Sequence, residues 1–166
     1  MTGDQVLVLQ HSEIAGPGWL ADALMEAGIE FEVINLSAGM QVPDTTTWKG
    51  VAVLGGRMGA YEEDEYPFLA DEKRLLAALV EEDVPVLGIC LGAQLLADAC
   101  GGRTYKAPDT EAGLHALMLT DAGEADPVLE TITDRVVVSH GDTFHLPPDA
   151  VLLASSDRYQ HAFRVG

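Results

Sequence analysis

The sequence predicts a single α/β domain in three layers, a mainly parallel sheet covered by helices on both faces. Three observations carry that expectation. Short β-rich apolar runs alternate with longer runs at helical spacing, as strand–helix–strand units do. Most of the strand-like runs are apolar throughout, which suits strands buried on both faces. Glycines fall at the junctions between the runs. The 166 residues, 48% of them apolar, have room for one sizeable core, so residues 1–166 are read as one domain.

The elements follow in order. Gln5 to Gln10 is the first strand. Pro17 to Ala27 is a helix with Leu20, Ala23, Leu24 and Ala27 on one stripe, and Gly28 stands where it should stop. Glu30 to Leu36 alternates as a strand does. Gly50 to Leu54 is another apolar run, ended sharply by Gly55 and Gly56. Tyr66 to Glu82 is a long helix with Phe68, Leu69, Leu75, Leu76, Leu79 and Val80 on one face. Val84 to Ile89 is a buried strand, and Leu91 to Ala99 a helix closed by Gly101 and Gly102. The second half is thinner: Leu114 to Thr120, Arg135 to Ser139 and Val151 to Ala154 read as strands between polar turns.

Charge excludes some partners. Nine Lys and Arg against 27 Asp and Glu leave a formal net charge of −18. Such a surface repels phosphate backbones and anionic lipid, so neither nucleic acid nor a membrane surface is an expected partner. Only Lys49, Lys73 and Lys106 are lysines. Abundant acid with scarce lysine is expected of a salt-adapted surface, and equally of an ordinary acidic enzyme. No apolar run approaches the roughly 18 residues of a membrane span, and the start lacks the pattern of a signal peptide. The cytoplasm is the expected location.

The two cysteines, Cys90 and Cys100, bracket one predicted helix. Ten residues of helical rise separate them by ~15 Å, too far for a disulfide. Two thiols resemble neither a disulfide framework nor a zinc site, and no metal is expected.

Cys90 has the more telling surroundings. In Gly88-Ile89-Cys90-Leu91-Gly92 a glycine stands two places on either side of a candidate nucleophile, between a strand and a helix. That is the pattern of a nucleophile elbow, a turn too tight for side chains at the flanking positions. It would hold the thiol at the carboxyl edge of the sheet, over a helix N-terminus whose N–H groups and partial positive charge favour thiolate. The N–H of Leu91 would face a developing oxyanion. The alternative is a buried structural cysteine with glycines chosen for packing. Cys100, at the helix end, reads as core.

Two further strand ends converge on that edge. Gly55-Gly56-Arg57-Met58-Gly59 is not a phosphate loop, lacking both Gly-Lys-[Ser/Thr] and the GxGxxG spacing. A glycine pair there still lets backbone N–H groups turn toward Cys90, and it reads equally well as a plain strand-to-loop turn. Ser139-His140-Gly141-Asp142 is a polar cluster suited to a small zwitterionic ligand. Convergence of three strand ends on one sheet edge is the expected setting of a site.

Gly-Ile-Cys-Leu-Gly-Ala-Gln94, with Leu-Ala-Asp-Ala-Cys-Gly-Gly102 behind it, resembles the class I, triad-type glutamine amidotransferases. Gly55-Gly56, Glu-Glu-Asp-Glu-Tyr-Pro67, Glu111-Ala-Gly113, Ser-His-Gly-Asp-Thr-Phe144 and Ala162-Phe163-Arg164 recur in order in free-standing members similar to the amidotransferase domain of GMP synthase. The resemblance implies a flavodoxin-like sheet, no cofactor, and cleavage of the glutamine side-chain amide through a glutamyl thioester. Cys90 would be the nucleophile, and Gly56 and Leu91 the oxyanion donors. Gln94, Ser139, His140 and Gly141 would hold the amino-acid head of glutamine. Ammonia would pass to a synthase chain or an acceptor substrate.

The same resemblance places an activating His and its orienting Glu on a His-Pro-Glu motif beyond Arg164, and none occurs in these 166 residues. The expectation is therefore of a chain lacking its last segment, with an exposed sheet edge and weak turnover. Arg57, Gly59-Ala60 and His115 also depart from the common pattern. Two other readings keep the elbow or the pocket: a γ-glutamyl or protease-like cysteine hydrolase, and a glutamine-binding domain without catalysis.

Overall fold

In the computed structural model, which describes residues 3–132 and 135–166, a four-stranded parallel sheet forms the centre. Its strands are β1 (Val6–Gln10), β2 (Phe31–Asn35), β3 (Gly50–Val53) and β4 (Val86–Gly88), in the order β2-β1-β3-β4. Between them run α1 (Trp19–Glu26) and α2 (Phe68–Glu81), and α3 (Leu91–Ala99) follows β4.

Alternation along the strands divides the core. Leu7, Leu9, Val51 and Val53 meet Leu69, Leu76 and Leu79 of α2 and Leu91 and Leu95 of α3 in the larger cluster. Val8, Ala52 and Leu54 face the other way, toward Leu20 of α1 and Phe31 and Val33 of β2. This is the expected three-layer arrangement. At the sheet edge, Leu87 of β4 is 43% exposed. No helix among the described residues is long and apolar enough to cross a membrane.

The second half differs from the sequence reading. β5 (Arg103–Ala116) begins eleven residues before the predicted strand at Leu114, and β7 (Arg135–His145) continues past Ser139. The two pair antiparallel as a ribbon of their own, with a register shift between Lys106 and Glu111. The ribbon has wet faces, so its residues are largely polar and lack the apolar signature of the central strands. Beyond it, β6 (Met118–Leu119), β8 (Val151–Ser155) and β9 (Gln160–Arg164) form a small antiparallel sheet, and β9 was not expected. A short helix, α4 (Asp121–Glu124), sits against β8, capped by the Thr120 hydroxyl accepting from the Gly123 N–H at 3.1 Å.

Candidate active site

Cys90 occupies the turn between β4 and α3 with φ 55°, in the left-handed region that non-glycine residues seldom enter. Its neighbours explain how the chain can turn there. A Cβ on Gly88 would lie 2.7 Å from the backbone of Gly92 and Ala93. One on Gly92 would strike the Val53 carbonyl of β3. Only glycine fits at either place, so the elbow is fixed by local sterics. The turn leaves the Cys90 side chain exposed while Leu91, the next residue, is fully buried and anchors α3.

The glycine loop after β3 lies beside this turn. A Cβ on Gly55 would stand 3.4 Å from Cys90 Cβ, and one on Gly56 would overlap Leu91 Cδ2 at 2.6 Å. Gly56 and Leu91 are therefore packed together next to the thiol. Leu91 opens α3, so its N–H has no acceptor within the helix. Beneath the loop, His11 and Glu72 form a fully buried pair, Nε2 to Oε2 2.9 Å. Their other polar atoms, His11 Nδ1 and Glu72 Oε1, have no partner among the described residues.

A cavity of about 230 Å³ opens over Cys90, and Gln94, Ser139, His140, Asp142, Gln160 and His161 are among the residues around it. Of the residues singled out in the sequence, Cys90, Gln94, Ser139 and His140 are thus brought together around one space. Gly56 and Leu91 adjoin the cysteine rather than line the cavity, and Gly141 faces Thr110 on the ribbon, 3.7 Å from where its Cβ would be. Asp142 ties the parts together. Its carboxylate accepts from the Tyr61 hydroxyl at 3.0 Å, binding the glycine loop's far end to β7. Its carbonyl accepts from Gln94 Nε2 at 3.4 Å.

Sequence reasoning missed the residue that joins two of these side chains from behind the cavity lining. Glu111, 1% exposed, stands opposite His140 in the β5–β7 register. Its Oε2 lies 3.1 Å from His140 Nε2 and 3.0 Å from His161 Nε2, and its Oε1 accepts from the Ser156 hydroxyl at 2.9 Å. Burial works to raise the Glu111 carboxyl, but the Ser156 hydroxyl and the neighbouring His161 and His140 rings prevail and hold it below the usual carboxylate range. Burial pushes His161 down, with the charges of His140 and His115 acting the same way against the raising effect of Glu111. Among the described residues, neither His161 nor His140 hydrogen-bonds the Cys90 sulfur. The signals were the Glu111-Ala-Gly113 stretch and His161 itself, but linking them requires knowing that both lie on strands.

The family model for class-I glutamine amidotransferase matches residues 17–164. A glutamine amidotransferase of Thermotoga maritima superposes with a TM-score of 0.87 at 32% identity, over 100% of this chain and 73% of that one. One from Methylobacillus flagellatus gives 0.90 at 31%, over 98% and 66%. The GMP synthase [glutamine-hydrolyzing] of Wolinella succinogenes is 34% identical over 134 residues, 78% of this chain and 24% of that protein. A glutamine amidotransferase-like protein of Salmonella typhimurium is 29% identical over 141 residues, 84% and 53%. The chain therefore spans about half the length of the one curated relative and about a quarter of the other.

Proposed function

The chain belongs to the class-I glutamine amidotransferase family, and from that premise we propose that it hydrolyses the side-chain amide of glutamine with Cys90 as nucleophile. The observation that carries this reading is the Cys90 turn: a positive-φ cysteine on a strand-to-helix elbow, exposed to a cavity of amino-acid size. The sulfur attacks the amide carbon, and the oxyanion forms against the N–H groups of Gly56 and Leu91. The C–N bond then breaks, the thiol proton leaves with the nitrogen as ammonia, and a glutamyl thioester remains. Water attacks the thioester and returns a proton to the sulfur, giving glutamate.

Gln94 and Ser139 hold the amino-acid head of the substrate in this reading, and Gly141 shapes the ribbon behind them. His140 has a smaller share in binding than its place in the sequence implied, because both its ring nitrogens already have partners. The ammonia goes to an acceptor substrate or a synthase partner, as the names of the GMP synthase relatives suggest. A general base contributes typically ~10²–10⁴-fold, and among the described residues no histidine is hydrogen-bonded to the sulfur, so slow turnover is part of this reading. That same feature favours a second reading, a domain that binds glutamine without appreciable cleavage.

Glutamate release from glutamine tests the assignment. Cys90→Ser is expected to abolish it and leave the fold intact, while Cys100→Ser leaves it nearly unchanged. Equal loss in both variants would mean that the cysteines act through packing. Glutamine binding with no release in the parent protein would favour the second reading.

A further inference from the structure

The cluster of Glu111, His140 and His161 offers three ligand atoms, all within 4.8 Å of one another. From it we infer that Glu111, with the cavity-lining His140 and His161, forms a binding site for a divalent transition metal of the zinc type. This inference does not depend on glutamine cleavage.

The argument begins with hydrogen positions. His140 Nδ1 lies 3.0 Å from the Asp142 carbonyl, which can only accept, so Nδ1 carries the proton. In a neutral ring Nε2 is then a bare lone pair, yet it faces Glu111 Oε2 at 3.1 Å. Two acceptors in contact repel unless the cluster holds an extra proton or a metal ion lies among the three groups. Glu111 is buried and its other oxygen is taken by Ser156, so it cannot turn away to water. Fixing a ring by donating Nδ1–H to a backbone carbonyl is also how metal-binding histidines are commonly oriented.

The donor set suits the ion. Two imidazoles and a carboxylate, with one further position open, form a common three-ligand arrangement for zinc. Bond lengths of about 2.0–2.1 Å place neighbouring ligand atoms ~3.3 Å apart in a tetrahedral site, close to the two distances to Glu111 Oε2. The two rings need only draw together, and both line the cavity with side chains 16% and 13% exposed. His140 and His161 share that cavity with Cys90 and Gln94, so the open position faces the space where a small ligand would sit.

Titration of chelator-treated protein with Co²⁺ alone tests the site. The expected result is one equivalent bound per chain, with visible absorption of a four-coordinate ion, displaced by Zn²⁺. His161→Gln and His140→Gln, each lining the cavity and each checked for folding by circular dichroism, should weaken binding by more than ~10-fold, the low end for changes outside the ligand set itself. Cys90→Ser should bind as the parent does. In the unaltered protein, one equivalent of Zn²⁺ should shift the side-chain NMR signals of His140 and His161 and leave those of His145 in place. The assignment is overturned by the absence of saturable binding, by equal affinity in the histidine variants, by loss of binding in Cys90→Ser, or by shifts confined to His145.

Discussion

A methyl group marks the difference between an elbow and a broken sheet at Gly92. Its absent Cβ is where the Val53 carbonyl of β3 passes, and Val53 is fully buried in the core. Gly92→Ala must therefore push α3 off the sheet or disturb the β3–β4 pairing. Overpacking of this kind costs about 1–3 kcal/mol, so the melting temperature should fall by about 3–10 °C. A thermal melt within 1 °C of the parent would show that the turn has slack. Gly88 works in the same way from the other side, its missing Cβ clearing the first turn of α3. Together these two residues hold Cys90 at a φ it would otherwise avoid, so the position of the thiol follows from backbone sterics.

At the scale of elements, α2 and α3 are joined through Lys73. Its ammonium reaches Glu63 at 2.7 Å and Asp98 at 2.8 Å, linking the loop before α2 to the end of α3. Burial lowers the Lys73 pKa, but the hydrogen bonds to Asp98 and Glu63 outweigh that and raise it above 10.5. A pKa raised in the folded state means stability that is fully present below the unfolded value and is lost as pH rises through the folded one. Lys73→Met should thus cost about 1.5–3 kcal/mol at neutral pH, the range for charged hydrogen bonds. Denaturant melts should show the gap between parent and variant closing above pH 10.5. A gap that stays constant with pH would assign the loss to packing of the lysine stem instead.

Elements also decide how much could be read in advance. The central strands and α2 and α3 were legible because burial on both faces makes strands continuously apolar and burial on one face makes helices periodic. The turn around Cys90 was legible for a different reason: its glycines act within five consecutive residues. The start of β7 was legible from Arg135 to Ser139, but the Arg103–Asp109 part of β5 carries neither signal, because Arg103, Lys106, Asp109 and their neighbours serve a strand with little core behind it. The grouping of Glu111 with His140 and His161 depended on the register of the β5–β7 ribbon and on β9, a strand of five residues with no fully buried position. A site assembled across strands that do not advertise themselves is invisible to local reading.

Over the whole molecule, charge is the dominant long-range term. A net charge of −18 on 166 residues sets the acidic groups against one another, and screening relieves this most steeply at low ionic strength. A salt-adapted surface predicts a melting temperature that goes on rising in KCl beyond ~1 M, where the Debye length is already only ~3 Å. A plateau below that concentration would make the composition ordinary acidity.

The central claim is that the molecule recognises glutamine at Cys90, and covalent labelling reads it directly. The probe is an amino acid of glutamine's shape bearing a chloromethyl ketone in place of the amide. A simple alkylator would also prefer Cys90, which is exposed, to Cys100, whose thiol burial pushes up. Protection by glutamine separates recognition from mere exposure. Peptide mapping by mass spectrometry should find one label, on Cys90, slowed by free glutamine and not by glutamate's amide-free analogues of other length. Labelling that glutamine does not slow, or that falls equally on Cys100, would contradict the account.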